Sequence, residues 1–191
     1  MGRSRTVVTA VLAVLAVGLL TACGEDNKTP ETPTVWRLPA DPAGAARNAG
    51  LPMLSEEKLE VHYHAHLDII VRGKKVPVPA NIGIDTRQGK ITALHTHDTS
   101  GVIHIESERD APFYLGQLFA EWGQALLPSS QVGPVVMQRG EELRVYENGK
   151  RVPGDPAQLR LTPHAEIVVW LGDASDANPK IPTSYTFPEG L

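Results

Sequence analysis

The chain has 191 residues, of which 41% are hydrophobic and 21% are charged, and its formal net charge is −4. This length suits one domain with accessory segments, and the composition is that of a soluble globular protein. A mildly acidic chain is a poor candidate for binding nucleic acid, or anionic lipid through charge.

The N-terminus predicts a lipoprotein signal peptide over residues 1–22. The basic start MGRSR precedes the apolar run TVVTAVLAVLAVGLL, which has the length of a signal-peptide hydrophobic region and is short for a membrane span. An uncleaved anchor helix is the alternative. The following LTAC resembles the lipobox of bacterial lipoproteins, and this resemblance implies that Cys23 is lipidated and becomes the mature N-terminus. The protein is then expected at the extracytoplasmic face of the cell membrane, held by its lipid.

Residues 23–50 predict a lipid-anchored flexible tether, because they are rich in Pro, Ala, Thr and charged residues. Docking of Trp36 on the domain is the alternative. Cys23 is the only cysteine, so the exported part has neither a disulfide nor a thiolate to offer a metal. Arg3 and Arg5 leave with the signal, which takes the formal charge from −4 to −6.

The folded domain is predicted over 51–173, with an extended Pro-rich tail over 174–191. A strand EVHYHAHLDIIV (60–71) is followed by an edge strand, VPVPANIGI, and by the segment LHTHDTSGVIHIES (94–107), which reads as a hairpin. YLGQLFAEWGQALL has the apolar spacing of an amphipathic helix. ELRVYENGKRVP is a second hairpin, and AEIVVWLG a buried strand. The fold class is therefore α+β, mainly an antiparallel sheet of hairpins with one principal helix.

The first strand carries a row of histidines. Alternate side chains of a strand share a face, and one face of this strand is apolar. The other face holds Glu60, His62, His64, His66 and Asp68.

The hairpin repeats this arrangement. With a turn at residues 98–101, His95 stands opposite His104, and the same face holds His97 and Glu106. The opposite face holds Leu94, Thr96, Ile103 and Ile105. A bulge would move His104 across the sheet, so this register is a specific prediction.

If the two segments are neighbours in one sheet, they bring up to six imidazoles together, and the pattern favours a metal site. The predicted ligands are His62, His64, His66, His95, His97 and His104. Carboxylates predicted to orient them are Asp68, Asp98 and Glu106. A merely solvated face and a pH switch are the alternatives, and His164 is expected to be an ordinary surface residue.

Nitrogen ligation without cysteine argues against a blue-copper centre and leaves Cu(II) and Zn(II) as the expected metals. Metal acquisition, buffering or delivery is the first functional hypothesis. A metal-dependent hydrolase or hydratase is the second, with His95, His97 and His104 as ligands, bound water, and Glu106 as base. A cell-envelope interaction module that binds no metal is the third. Whether the protein is an enzyme is left open, and no phosphate-binding loop or dinucleotide fingerprint is present.

Five segments resemble those of a largely uncharacterised family of small exported bacterial and archaeal proteins. They are HAHLDIIVRGKKVPVPANIGI (64–84), LHTHDTSGVIHIES (94–107), YLGQLFAEWG (114–123), and NGKRVPGDP with HAEIVVWLG (148–172). The resemblance supports the domain boundaries and implies no particular activity. The HxH strand is also similar to those of α-type carbonic anhydrases and cupins, although the remaining spacings match neither.

Overall fold

The computed structural model describes residues 1–2, 35–57 and 59–191. Residues 3–22 of the predicted signal peptide, Cys23 and the tether as far as residue 34 lie outside the described residues. Within the described ranges, no helix combines the length and apolar character needed to cross a membrane.

The described residues from 35 to 191 belong to one compact unit. Its helices are α1 Pro42–Asn48 and α2 Leu115–Trp122, with a 3-10 helix at Pro156–Gln158. Its strands are β1 Val61–Val71, β2 Lys74–Val76, β3 Ile84–Asp85, β4 Lys90–Ile91, β5 Leu94–His95, β6 Val102–Ser107, β7 Leu126–Leu127, β8 Gln131–Val132, β9 Val135–Val136, β10 Glu141–Glu147, β11 Lys150–Val152 and β12 Glu166–Asp173.

The main sheet has the order β11-β10-β12-β1-β6-β5, and β2 pairs with β1. Its two central strands, β1 and β12, are parallel, whereas the other pairings are antiparallel. The α+β prediction is confirmed in this broad form. The described residues contain two α-helices of seven and eight residues, so the prediction of one principal helix is not confirmed.

One face of the sheet packs on α2 and forms the main core. Leu67 and Ile69 of β1 and Ile103 and Ile105 of β6 are at most 1% exposed, and they pack in one cluster with the apolar face of α2. Burying a side chain of this size contributes about 1.5–3 kcal/mol. The opposite residues of β1 and β6, which include the histidines, therefore face the other side of the sheet.

Helix α2 matches the start of the predicted helix and ends earlier. The side-chain oxygen of Gln117 accepts a hydrogen bond from the backbone N–H of Tyr114, 3.0 Å away, at the first turn. Gly123 has φ 71°, the left-handed conformation that ends a helix. Leu126 lies beyond this end of the helix and belongs to β7. It is nevertheless buried, as the apolar spacing of the predicted helix indicated.

Of the predicted edge strand VPVPANIGI, only Val76 in β2 and Ile84 in β3 lie in strands. Strand pairing with β1 ends at Val76, because Pro77 and Pro79 have no N–H to donate to a neighbouring strand. Instead, the Thr96 hydroxyl donates to the Pro79 carbonyl and accepts from the Ile82 N–H. The segment is an anchored loop.

Residues 35–50 pack on the domain, so the prediction of a flexible tether is wrong for this part. Trp36 is 3% exposed, and its ring lies 5.5 Å from that of Trp122. Helix α1 is capped by Asp41, whose Oδ1 accepts from the Gly44 N–H at 2.9 Å. The Trp36 ring, together with the buried Ala45 and Ala46 of α1, provides the apolar surface that holds this otherwise polar segment.

The tail 174–191 contains no helix or strand and lies against the second face of the sheet. Ile181 packs against the cluster of Ile70 and Trp170, and Tyr185 stacks on His66 with ring centroids 3.7 Å apart. The tail thus covers the part of the face next to the histidines.

Candidate metal centre

Strand pairing places the histidines of three strands side by side. His64 of β1 pairs with His104 of β6, and His104 pairs in turn with His95 of β5. Glu106 pairs with His62 at the end of β1. The predicted register of the hairpin, with His95 opposite His104, is confirmed, and Leu94, Thr96, Ile103 and Ile105 are buried on the other face.

A first group of donor atoms comes from His62, His64, His104 and Glu106, all within 4.8 Å of one another. His64 Nε2 lies 3.1 Å from His104 Nδ1. Glu106 Oε1 lies 3.5 Å from both His62 Nε2 and His104 Nδ1. Three imidazoles and one carboxylate are enough for a four-coordinate ion.

A second group is formed by His95, His97, His104 and Glu106, again within 4.8 Å. His95 Nε2 and His97 Nε2 are 3.2 Å apart, and the rings of His97 and His104 have centroids 4.5 Å apart. The two groups share His104 and Glu106. We call these five histidines and Glu106 the histidine cluster.

The spacing within the cluster is that of ligands around a tetrahedral ion. Two nitrogens at the usual Zn–N distance of about 2.0–2.1 Å and at a tetrahedral angle are about 3.3 Å apart. The four separations above, from 3.1 to 3.5 Å, lie on either side of this value. The other donor separations within each group are at most 4.8 Å, so an ion would draw those side chains closer together.

The hydrogen bonding of His95 prepares it as a ligand. Its Nδ1 lies 2.9 Å from the Thr92 carbonyl oxygen, which only accepts, so Nδ1 carries the proton. Its Nε2 then presents a lone pair to the cluster, which is the usual arrangement for a metal-binding histidine. The pKa of His95 is lowered to about 3, mainly by burial and with smaller contributions from the neighbouring His97 and His104. His95 is thus uncharged at neutral pH.

His104 and His64 are kept neutral for the same reasons. Burial, followed by the neighbouring His64 and His97, lowers the pKa of His104 to about 4. Burial and then His62 lower the pKa of His64. Neutral imidazole is the form that binds metal.

Glu106 is the buried acid of the cluster. It is 4% exposed, and burial, with a further contribution from Glu57, raises its pKa. Its Oε2 is buried and has no hydrogen-bond partner among the described residues. A buried carboxylate oxygen without a partner is costly, and a cation would remove that cost.

His66 shares the face of β1 but belongs to a separate donor group, so five of the six predicted imidazoles form the cluster. Its Nε2 lies 2.8 Å from the Ser100 carbonyl oxygen, and its Nδ1 lies 2.6 Å from Oε2 of buried Glu166. The carbonyl can only accept, so Nε2 carries a proton and a second proton lies between Nδ1 and Glu166. Neither ring nitrogen has a free lone pair. In the third donor group, His66 with Asp68 and Glu166, His66 therefore offers no nitrogen to an ion, although Glu166 Oε1 is buried without a hydrogen-bond partner among the described residues.

The other predicted carboxylates have different roles. Asp68 accepts from Lys75 Nζ at 3.0 and 3.1 Å. Asp98 accepts from the Ser100 N–H at 2.8 Å and shapes the turn. His164 is exposed, as predicted.

Sequence reasoning missed Glu166 and Thr92. Glu166 stands beside His66 only because β12 runs parallel to β1, and no local pattern indicates that pairing. Thr92 acts through its backbone carbonyl, which any residue would supply. Glu57 was missed too; its Oε1 lies 3.7 Å from His97 Nε2, and it precedes the first strand among residues without a repeating pattern.

Comparison with protein families, with curated proteins and with solved structures finds no match for this chain.

Proposed function

We propose that this protein binds a transition metal, Zn(II) or Cu(II), through His62, His64, His95, His97 and His104 together with Glu106. The observation that carries the proposal is the set of four donor separations near the tetrahedral value. Cu(II) prefers tetragonal geometry, in which adjacent nitrogens at about 2.0 Å from the ion are about 2.8 Å apart, so the spacing is closer to that of zinc.

The burial of the cluster supports metal binding over a solvated face. His95 is fully buried, His64 is 3% exposed, and the side chain of His104 is 13% exposed. A solvated face would expose these rings to water, whereas here His64 Nε2 is hydrogen-bonded to His104 Nδ1 and His95 Nε2 to His97 Nε2. A metal ion would replace these two hydrogen bonds with bonds to the ring nitrogens.

The proposed role is acquisition, buffering or delivery of the metal outside the cytoplasm. The signal peptide and lipobox pattern around Cys23 support a lipid anchor at the extracytoplasmic face of the membrane. The resemblance of five segments to small exported bacterial and archaeal proteins is consistent with this location.

The test is metal analysis of the untagged full chain in detergent, followed by competition titration with a chromophoric chelator. We expect bound zinc or copper and an affinity tighter than micromolar. Replacing both His95 and His97 with Ala should weaken binding at least about 100-fold, because loss of even a residue that only orients a ligand costs about 10–100-fold. The matched control is His164→Asn, which removes an exposed histidine outside the cluster and suits its positive φ of 56°.

Two results would overturn this proposal. Absence of measurable binding of either ion by the wild-type chain would leave the cell-envelope interaction module. Equal loss of affinity in the control and in the double variant would show that the cluster is not the site.

A second candidate function is a metal-dependent hydrolase or hydratase. The side chain of His97 is 45% exposed, and His97 lines an open depression of about 450 Å³ with Glu57 and Asn81. A small substrate has access to that side of the cluster. X-ray absorption of the zinc-loaded chain separates the candidates, because a bound water favours catalysis and saturation by protein ligands favours metal handling.

A further inference from the structure

We infer that the histidine cluster holds two metal ions bridged by the carboxylate of Glu106. This inference rests on the proposed function and adds the number of ions and their linkage. It starts from a surplus of ligands, because five imidazoles and two carboxylate oxygens exceed what one four-coordinate ion uses.

The donor atoms divide into two sets. His62 and His64 belong only to the first group, and His95 and His97 belong only to the second. The first pair comes from β1, and the second pair comes from β5 and the turn after it. Each pair therefore has its own backbone support, with β6 between them.

His104 is assigned to the first ion. Its Nδ1 lies 3.1 Å from His64 Nε2 and 3.5 Å from Glu106 Oε1, both close to the tetrahedral separation of about 3.3 Å. The first ion then has three imidazoles and one carboxylate oxygen, which fill four positions.

The second ion takes His95, His97 and an oxygen of Glu106, which leaves one position for water. His97 is the exposed member of this set, so the open position lies where solvent can reach it. The two ions thus differ in kind, since the first is saturated by the protein and the second is not.

Glu106 has the properties that a bridging ligand needs. An ionised carboxylate accepts through both oxygens, and Glu106 Oε1 faces the first set while Oε2 is buried without a partner in the described part of the chain. Two divalent ions about 3.5–4 Å apart repel each other strongly unless an anion lies between them. Glu106 is the buried carboxylate that both groups share.

The test is native mass spectrometry of the untagged full chain in detergent, titrated with Zn(II). We expect two ions per chain. A single ion would overturn the bridged pair and leave the proposed function intact, whereas no ion would overturn both.

Two matched variants assign the ions. His62→Ala and His97→Ala each remove an exposed imidazole that belongs to one group only, so neither is expected to disturb folding. His97→Ala should reduce the count to one ion, and His62→Ala should weaken the other ion at least about tenfold. Identical losses of both ions in the two variants would contradict the division into sets.

The bridge is tested with Cu(II) and electron paramagnetic resonance. Two Cu(II) ions joined by a carboxylate couple magnetically, so the signal per ion should fall when the second equivalent is added. Glu106→Gln, which keeps the shape of the side chain, should abolish this coupling. Two bound ions with full, independent signals would contradict the bridge.

Discussion

The lowered pKa of His95 predicts that the metal-free protein loses stability as the pH falls from 7.5 to 5. An unfolded histidine binds its proton with a pKa near 6.5, whereas folded His95 resists protonation until about pH 3. A group whose pKa is lower in the folded state makes its full contribution to stability at pH values above its unfolded pKa. This contribution is lost as the pH falls from the unfolded pKa to the folded pKa.

The magnitude follows from the two pKa values. At pH 5 the unfolded state gains about 2 kcal/mol from protonating this one histidine, at 1.36 kcal/mol for each pH unit below 6.5. His104, with a pKa lowered to about 4, adds to this loss over the same window. Glu106 acts in the opposite direction, because its raised pKa lets the folded state take up a proton as the pH falls.

The assay is urea unfolding of the chain with a metal chelator at pH 7.5, 6 and 5. The contribution of His95 is isolated by comparison with His95→Gln, which keeps a polar, neutral side chain at the buried position. The wild type should lose about 2 kcal/mol more than the variant between pH 7.5 and 5. Equal pH dependence in the two proteins would refute the reasoning, since it would mean that His95 titrates alike in both states.

Three further predictions concern residues around the cluster. The Thr92 hydroxyl lies 2.7 Å from the Leu94 carbonyl oxygen and 2.9 Å from Glu121 Oε2. Because the single hydroxyl hydrogen goes to the carbonyl, the Glu121 carboxyl must be protonated and donate to the hydroxyl. This agrees with the pKa of Glu121, which burial raises well above its usual value. Glu121→Gln should therefore change the free energy of unfolding, measured with urea, by less than about 0.5 kcal/mol. Glu121→Ala should lower it by about 2–4 kcal/mol. Equal losses in the two variants would refute the protonated state. Gly101 has φ 92° and a Cβ there would meet backbone oxygen at 2.6 Å, so Gly101→Ala should lower stability by more than about 1 kcal/mol in thermal unfolding, and an unchanged midpoint would contradict this. Glu166→Gln should lower the free energy of unfolding by about 2–3 kcal/mol, because it removes a charge-assisted hydrogen bond to His66. The number of bound ions in native mass spectrometry should stay the same. Loss of an ion would place His66 in the metal site.

Much of the local structure follows from the sequence. Alternation of apolar and histidine residues is enough to predict β1 and the faces of its side chains, because the period of a strand is two. The same alternation on both sides of the turn at 98–101 predicts that His95 stands opposite His104. Apolar spacing predicts the buried face of α2, and Asn148-Gly149 predicts the hairpin of β10 and β11.

The sequence could not predict that the segment around Trp36 packs on the core. Trp36 stands in a polar, proline-containing stretch. Its burial depends on contact with Trp122, and this contact exists only in the folded domain. Likewise, two prolines end β2 early, and the loop after it is held by Thr96, which is distant in sequence. Such contacts depend on surfaces that exist only after folding.

For the candidate site, the sequence by itself determined the ligand type and the two histidine faces, since side-chain chemistry and strand periodicity are local properties. The tertiary structure alone decided which histidines meet. The β1–β6 pairing places His62 and His64 beside His104. The parallel β1–β12 pairing places His66 beside Glu166, outside the cluster. Pairing between strands far apart in sequence depends on the packing of the whole sheet, and no local pattern contains it.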